Sequence, residues 1–541
     1  MTVQAAIQSL RKQLAIPEGQ LANDDASVVL QTLLVAASQA KQPDLPLTSF
    51  REAVDSPEVL SELDVFSAVP TLLPLPYPSA TGLLDLIARE SSAKELVIVV
   101  QEQIARLRNL HYGDQDQDAN DETSVGAQTL RLLRIYTLAI PRLRKGKRAP
   151  RDILNPIFSQ ITDLFASCAQ AYTAQEAQDI VSQAIVLVQS TAPWAAEYPD
   201  PSTEILYKLI SDTLEIFANQ VNADVEQRAF EKEFPRLIMP NRHRPSNQDI
   251  AYNAWAALHD LGITDARIAA SPTLGNLILL AHAPGAPAVS TLTAFLPVLL
   301  TSIQTNTALG ATLALLLRTL GPLQRTAGAA QDGTLAPDVA LPLAHVLAPL
   351  SAAHPAPQTR HIAFRTLALV LACAPAPARM AALHELLGDA DAPAPLRVAA
   401  VGLVKDAVLG ALARPAPSPF AGPAFLQGLA PLLFRADLPD ATCPEEGLER
   451  FLESPEPKRL VEVLGLLFLL LQRDTENRIG LRARDTLRSF RKGLLTPVKE
   501  HLDLWGQVDL EGSDEAGMEM QILDMWVQRV LDAIEHVERG L

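Results

Sequence analysis

Thr359 to Leu371 reads T-R-H-I-A-F-R-T-L-A-L-V-L, and Leu396 to Leu409 reads L-R-V-A-A-V-G-L-V-K-D-A-V-L. Each stretch places an arginine three residues before an alanine, Arg360 before Ala363 and Arg397 before Ala400. Aliphatic residues then follow at the three- and four-residue spacing of one helix face. The two alanines lie 37 residues apart, a period suited to stacked helix pairs. No catalytic motif stands beside them. Helix pairs stacked in this way present a surface to partners rather than a pocket for chemistry.

Composition points the same way. With 541 residues the chain exceeds what one ordinary core needs, so it is either several domains or one extended array. Hydrophobic residues make up 48% but aromatics only 5%, leaving Leu, Ala, Val and Ile to fill the interior. Small and straight-chain residues suit close helix-on-helix packing, whereas a sheet protein uses more aromatic and β-branched alternation. The expected fold is all-α: an irregular HEAT- or armadillo-like solenoid of stacked antiparallel helix pairs.

The net charge of −17 argues against general nucleic-acid binding, because a phosphate backbone is repelled by such a surface. Cys168, Cys373 and Cys443 are the three cysteines, too far apart for a disulfide framework or a metal cluster. They fit a reducing compartment, the cytoplasm first and the nucleus second, and mark no activated thiol. The opening M-T-V-Q-A-A-I-Q-S-L-R-K-Q-L lacks the apolar core of a secretory signal. Between Arg267 and Arg318 there is no Asp, Glu, Lys or Arg. Pro272, Pro284, Pro287 and Pro297 interrupt that stretch, so it reads as buried helices and not as a membrane span.

Four regions follow along the chain. Residues 1–240 alternate helical segments with proline-bearing turns; 241–250 is a linker overlapping the proline-rich break Pro235 to Asp249; 251–440 is an Ala/Pro-rich HEAT-like middle; and 441–541 is charged and helical. Pro193-Trp194, with Tyr198 and Pro199, reads as an aromatic corner between helices. The helix after it takes its cap from Asp200, Ser202 or Thr203. In the charged region the expected helices are Lys458 to Asp474, Asn477 to Gly493 and Glu519 to Gly540. The uniform middle is expected to act as spacer and the charged ends as contact surfaces.

Three clusters invite a functional reading. In the polar loop 111–124, Asp114, Asp116 and Asp118 match alternate ligand positions of a calcium loop. Ala119 takes the place of the turn glycine and Val125 that of the bidentate glutamate, so the loop reads as solvated, without metal. Arg142, Arg144, Lys145, Lys147, Arg148 and Arg151 form a basic run that suits phosphate, an acidic partner or a nuclear address, against a plain inter-helix corner. The most pointed cluster is R-D-T-E-N-R-I-G-L-R-A-R-D-T-L-R-S-F-R-K, Arg473 to Lys492. On a helix beginning near Asn477, Arg478 and Arg482 share one side, and Arg484, Arg488 and Arg491 share another. Such a face suits partner carboxylates. The competing reading pairs Asp474 with Arg478 and Asp485 with Arg488 inside the chain.

The search for catalysis is empty. There is no phosphate-binding glycine loop and no G-x-S-x-G elbow, His384-Glu385 lacks the second histidine of a zinc protease, and no cysteine has a neighbouring histidine. The expectation is a non-enzymatic protein with neither cofactor nor metal.

At L-L-R-I-Y-T-L-A-I-P-R-L-R-K-G (Leu132 to Gly146) and L-L-L-Q-R-D-T-E-N-R-I-G-L-R (Leu469 to Arg482), the chain resembles the family of glomulin and the fungal YAP-binding proteins. Length, acidity and helical continuity agree with that family over most of the chain. The resemblance implies a HEAT-like regulator acting through protein contacts. Its partner would be the RING-box subunit of a cullin ubiquitin ligase, as in the glomulin branch, or a basic-zipper factor of the peroxide response, as in the fungal branch. No binding residue transfers by alignment. If the C-terminal surface is used, reversing charge at Arg478, Arg482 and Arg488 together is expected to abolish capture without loss of thermal stability. An armadillo-type transport adaptor or assembly chaperone is the alternative; an enzyme would instead show a deep polar pocket.

Overall fold

The computed structural model describes the chain apart from residues 1, 17–24, 113–122, 145–147, 199–201, 222–223, 238–248, 328–332, 390–392, 440–443, 508–513 and 541. The described residues are helical with short connections and hold no strand, so the fold is all-α. Two compact units divide it: Met1–Val225 with Met239–Gly285 and Gly310–Thr312, and Glu226–Ile238 with Ala286–Leu309 and Leu313–Leu541.

Within the first unit the helices pack in two alternating rows. Pro78–Glu90 lies on Val125–Ala139, which lies on Ala174–Ala196 and then Ile250–Asp260. In the other row Val65–Leu72 lies on Ala93–Tyr112, followed by Pro150–Cys168, Thr203–Ile216 and Leu274–His282. Members of the two rows also meet, as Ala93–Tyr112 does Val125–Ala139. Leu274–His282 accounts for part of the uncharged stretch: every residue from Gly275 to His282 is buried, and an all-round buried helix has no solvent side to place a charge on. Val289–Thr305, by contrast, exposes Ser290, Thr293, Thr301 and Gln304 and is uncharged without being buried all round.

In the second unit Val289–Thr305 packs on Pro337–Ala353, and that helix on Ala376–Gly388. Ala394–Leu412 packs on Glu456–Arg473, which packs on Asp514–Gly540. The 37-residue recurrence is visible here in the core. Ala363, Leu367 and Val370 of one helix, and Ala400, Val404 and Ala407 at the same offset in the other, are all buried. The alanines admit the close helix approach that a larger side chain would block.

One device recurs through both units. A helix ends with carbonyls that lack intrahelical partners and with the negative end of its dipole, so a guanidinium placed there is favoured twice. Arg131 donates to Leu73 O (2.6 Å) and Leu75 O (2.5 Å) beyond Val65–Leu72. Arg142 donates to Ala88 O and Ser91 O at the end of Pro78–Glu90. Arg360 donates to His354 O, and Arg379 to Ala372 O and Ala374 O. Arg459 reaches Leu433 O and Arg435 O while paired with Glu456. Burial lowers the pKa of Arg131, the cost of holding a cation in the interior.

Two sequence expectations change at this level. Pro193 and Trp194 do not form a corner; they belong to the last turns of Ala174–Ala196, whose start is fixed by the Thr173–Glu176 capping box. Trp194 is buried, donates to Leu143 O at 3.0 Å and meets Tyr198 edge to face. The second change concerns Asn477 to Gly493 and decides the candidate site.

Candidate protein-binding surface

The helix Glu456–Arg473 stops at Asp474, whose side chain is buried and ties a compact non-helical loop. Asp474 accepts hydrogen bonds from Arg478 N (2.7 Å) and Ile479 N (2.9 Å). Asn477 takes a left-handed φ of 54°, its side chain accepts from Arg482 N at 2.8 Å, and Gly480 is left-handed at φ 88°. Side-chain capture of backbone N–H groups offers the chain an alternative to helix, and left-handed residues cannot continue one. The expected helix from Asn477 is therefore wrong over 477–483; helix begins at Arg484 and runs Arg484–Phe490, then a π-turn Arg491–Leu495, then Thr496–Trp505.

That loop separates the five candidate arginines. Arg478 is turned back into the molecule, donating to Leu412 O (3.4 Å), Arg414 O (2.9 Å) and Ala416 O (3.2 Å) at the end of Ala394–Leu412. Arg482 likewise donates to Leu471 O near the end of its own preceding helix. Both repeat the C-terminal capping seen elsewhere, and the expectation that they share an exposed face is corrected. Arg491 is half-buried against Glu538 at 3.1 Å. Arg484 and Arg488 are exposed four residues apart on the same helix, and Lys492 continues the exposed basic run. Arg488 pairs with Asp485 at 3.1 Å with both side chains almost wholly in solvent, an ion pair of little energetic weight. The internal pairing of Asp485 with Arg488 is thus present, while Asp474 holds the backbone of Arg478 and not its guanidinium.

The other candidates fall as follows. Arg142 caps a helix, and Arg144, Arg148 and Arg151 are exposed. Lys145, Lys147, Asp114, Asp116, Asp118, Asp200 and Cys443 lie outside the described residues, as does 241–248 of the linker. Ser202 stands at the start of Thr203–Ile216 with a left-handed φ of 52°. Cys168 and Cys373 are buried; burial pushes both thiols up, Cys373 to about 11. For Cys168 that rise is opposed by a hydrogen bond with Tyr172 and by the charge of Arg108. No group of three or more His, Cys, Asp or Glu side chains that could hold a metal occurs among the described residues, and no described helix is long and apolar enough to cross a membrane.

A feature that sequence reasoning missed lies on Asp514–Gly540. Its inner face buries Leu523, Val527, Val530 and Ile534, and Trp526 meets Phe468 edge to face beside Gly465. Lys499 to Asp524 (2.9 Å) and Lys458 to Glu519 (3.5 Å) hold it to its neighbours. Met518 and Met525 nevertheless face solvent. In comparisons with known proteins, no family model matches the chain and no curated protein matches it.

Proposed function

We propose that this chain is a non-catalytic protein-binding regulator or adaptor, built as an irregular HEAT/armadillo-like solenoid of the kind found among glomulin and the YAP-binding proteins. The observation that carries this reading is the alternation of helix contacts in two rows within the first unit. Rows of this kind extend a surface along the stack, with each helix buried by its neighbours and its outer edge left for a partner. Arg484 and Arg488, on the helix Arg484–Phe490 of the second unit, supply exposed cations suited to partner carboxylates.

The partner is a RING-box or cullin subunit, or a basic-zipper factor of the stress response. A reactive thiol must be exposed and easily ionised, and Cys168 and Cys373 are neither, so neither of these two is the sensor in a stress pathway. Affinity purification of the full chain from its native organism, read by mass spectrometry, tests the assignment. Enrichment of cullin or RING-box peptides, or of a basic-zipper factor, supports it. Enrichment of proteasomal ATPases or transport factors replaces it with the adaptor or chaperone reading, and enrichment of no protein over a mock purification overturns it.

A further inference from the structure

Ten large hydrophobic side chains are exposed among the described residues, and seven of them stand alone on their helices. The other three are Met518 (56% exposed), Ile522 (38%) and Met525 (41%), all on Asp514–Gly540. Their spacing of four and then three residues places them in one stripe along the outer side of that helix. Leu523, Val527 and Val530 already bury the opposite side, so the stripe is a second apolar face.

Two further facts specify what the stripe fits. The chain contains only six methionines, and three of them, Met518, Met520 and Met525, fall within eight residues. Methionine is flexible and polarisable, and clusters of it on a surface adapt to apolar side chains of varied shape. The sequence around the stripe is acidic: from Asp503 to Leu541 there are ten Asp or Glu and only two Arg, with no Lys. Lys458 and Lys499 reach in from neighbouring helices and engage Glu519 and Asp524, Glu535 pairs with Arg539, and farther along both Arg529 and Asp532 are exposed. An apolar helical stripe in an acidic field is complementary to a helix with one apolar face and basic flanks.

We infer that the Met518–Ile522–Met525 stripe docks a cationic amphipathic helix of a protein partner. The inference deepens the protein-binding reading and rests on it, but names a surface separate from Arg484 and Arg488 and the opposite charge of partner.

The test uses the full chain and a fluorescent Leu/Lys amphipathic peptide of about 18 residues, five helical turns. A scrambled peptide of the same composition serves as the comparison. The triple variant Met518→Gln, Ile522→Gln, Met525→Gln replaces exposed side chains with good helix formers, so circular dichroism and melting are expected to match the wild type. Anisotropy titration should show the amphipathic peptide binding the wild type at least about tenfold more tightly than it binds the triple variant, and than the scramble binds the wild type. Equal binding of the two peptides, or of the peptide to both proteins, overturns the proposal. Sedimentation supplies the other outcome: a wild-type dimer that becomes monomeric in the triple variant assigns the stripe to a second copy and also overturns it. None of these readings depends on purification from the native organism, so failure here and failure of the regulator assignment are told apart.

Discussion

Arg478 gives its guanidinium to three backbone carbonyls, whereas Arg488, ten residues on, meets only the exposed Asp485. Removing them should therefore have different consequences. Arg478→Ala leaves helix-end carbonyls without a donor and is expected to cost about 1–3 kcal/mol in urea unfolding, with Arg478→Lys recovering little because an ammonium cannot span three acceptors. Arg488→Glu should stay within about 0.5 kcal/mol of the wild type. Equal effects would remove the distinction drawn between them. In the sequence the two arginines look alike; residue type and spacing carry no sign of a carbonyl contributed from more than sixty positions away. Asp474, Asn477 and Gly480 did carry a sign. These turn-forming residues stand three apart, and they should outweigh helical periodicity in such a stretch. Cys373 yields a pH prediction. Its folded thiol ionises near 11 and its unfolded one near 9, so raising the pH ionises the unfolded chain first. Stability should be level below about pH 9 and fall by on the order of 2 kcal/mol toward pH 11 from this group. Cys373→Ala should flatten that part of the curve, and an unchanged slope would refute the attribution.

At the scale of elements, glycines report how closely helices approach. A Cβ on Gly275 would run into the backbone carbonyl of Ser211 on the helix Thr203–Ile216, while one on Gly402, within Ala394–Leu412, meets nothing. Gly275→Ala is expected to destabilise by about 1–3 kcal/mol through overpacking. Gly402→Ala should stabilise by about 0.5–1 kcal/mol by restricting the unfolded chain and favouring helix. Thermal melts of the pair check the packing directly, and a neutral Gly275→Ala would mean the two helices are farther apart than described. Helix placement was largely legible in sequence because apolar periodicity is strong, and the arginine–alanine recurrence marked two helices with matching buried positions. Pro193 was misread because proline signals a break, yet near the end of a long helix the lost bond is tolerated. The outward stripe of Asp514–Gly540 was missed for a plainer reason: Ile522 reads as one face with Leu523, Trp526, Val530, Leu531 and Ile534, and only packing reveals that it is exposed with Met518 and Met525.

For the whole molecule, low aromatic content and abundant Leu and Ala led to an all-helical fold, and that much composition can decide, since it sets how closely helices pack. Composition says nothing of which surface is used. On the proposed function, cations at Arg484 and Arg488 would engage a partner, on a framework fixed from within by capping arginines. Crosslinking of the native partner to the full chain, compared between wild type and Arg484→Glu with Arg488→Glu, tests that most directly. The account predicts that the double reversal removes the crosslinked partner while the melting temperature stays unchanged. Undiminished crosslinking by a normally folded double variant would contradict it.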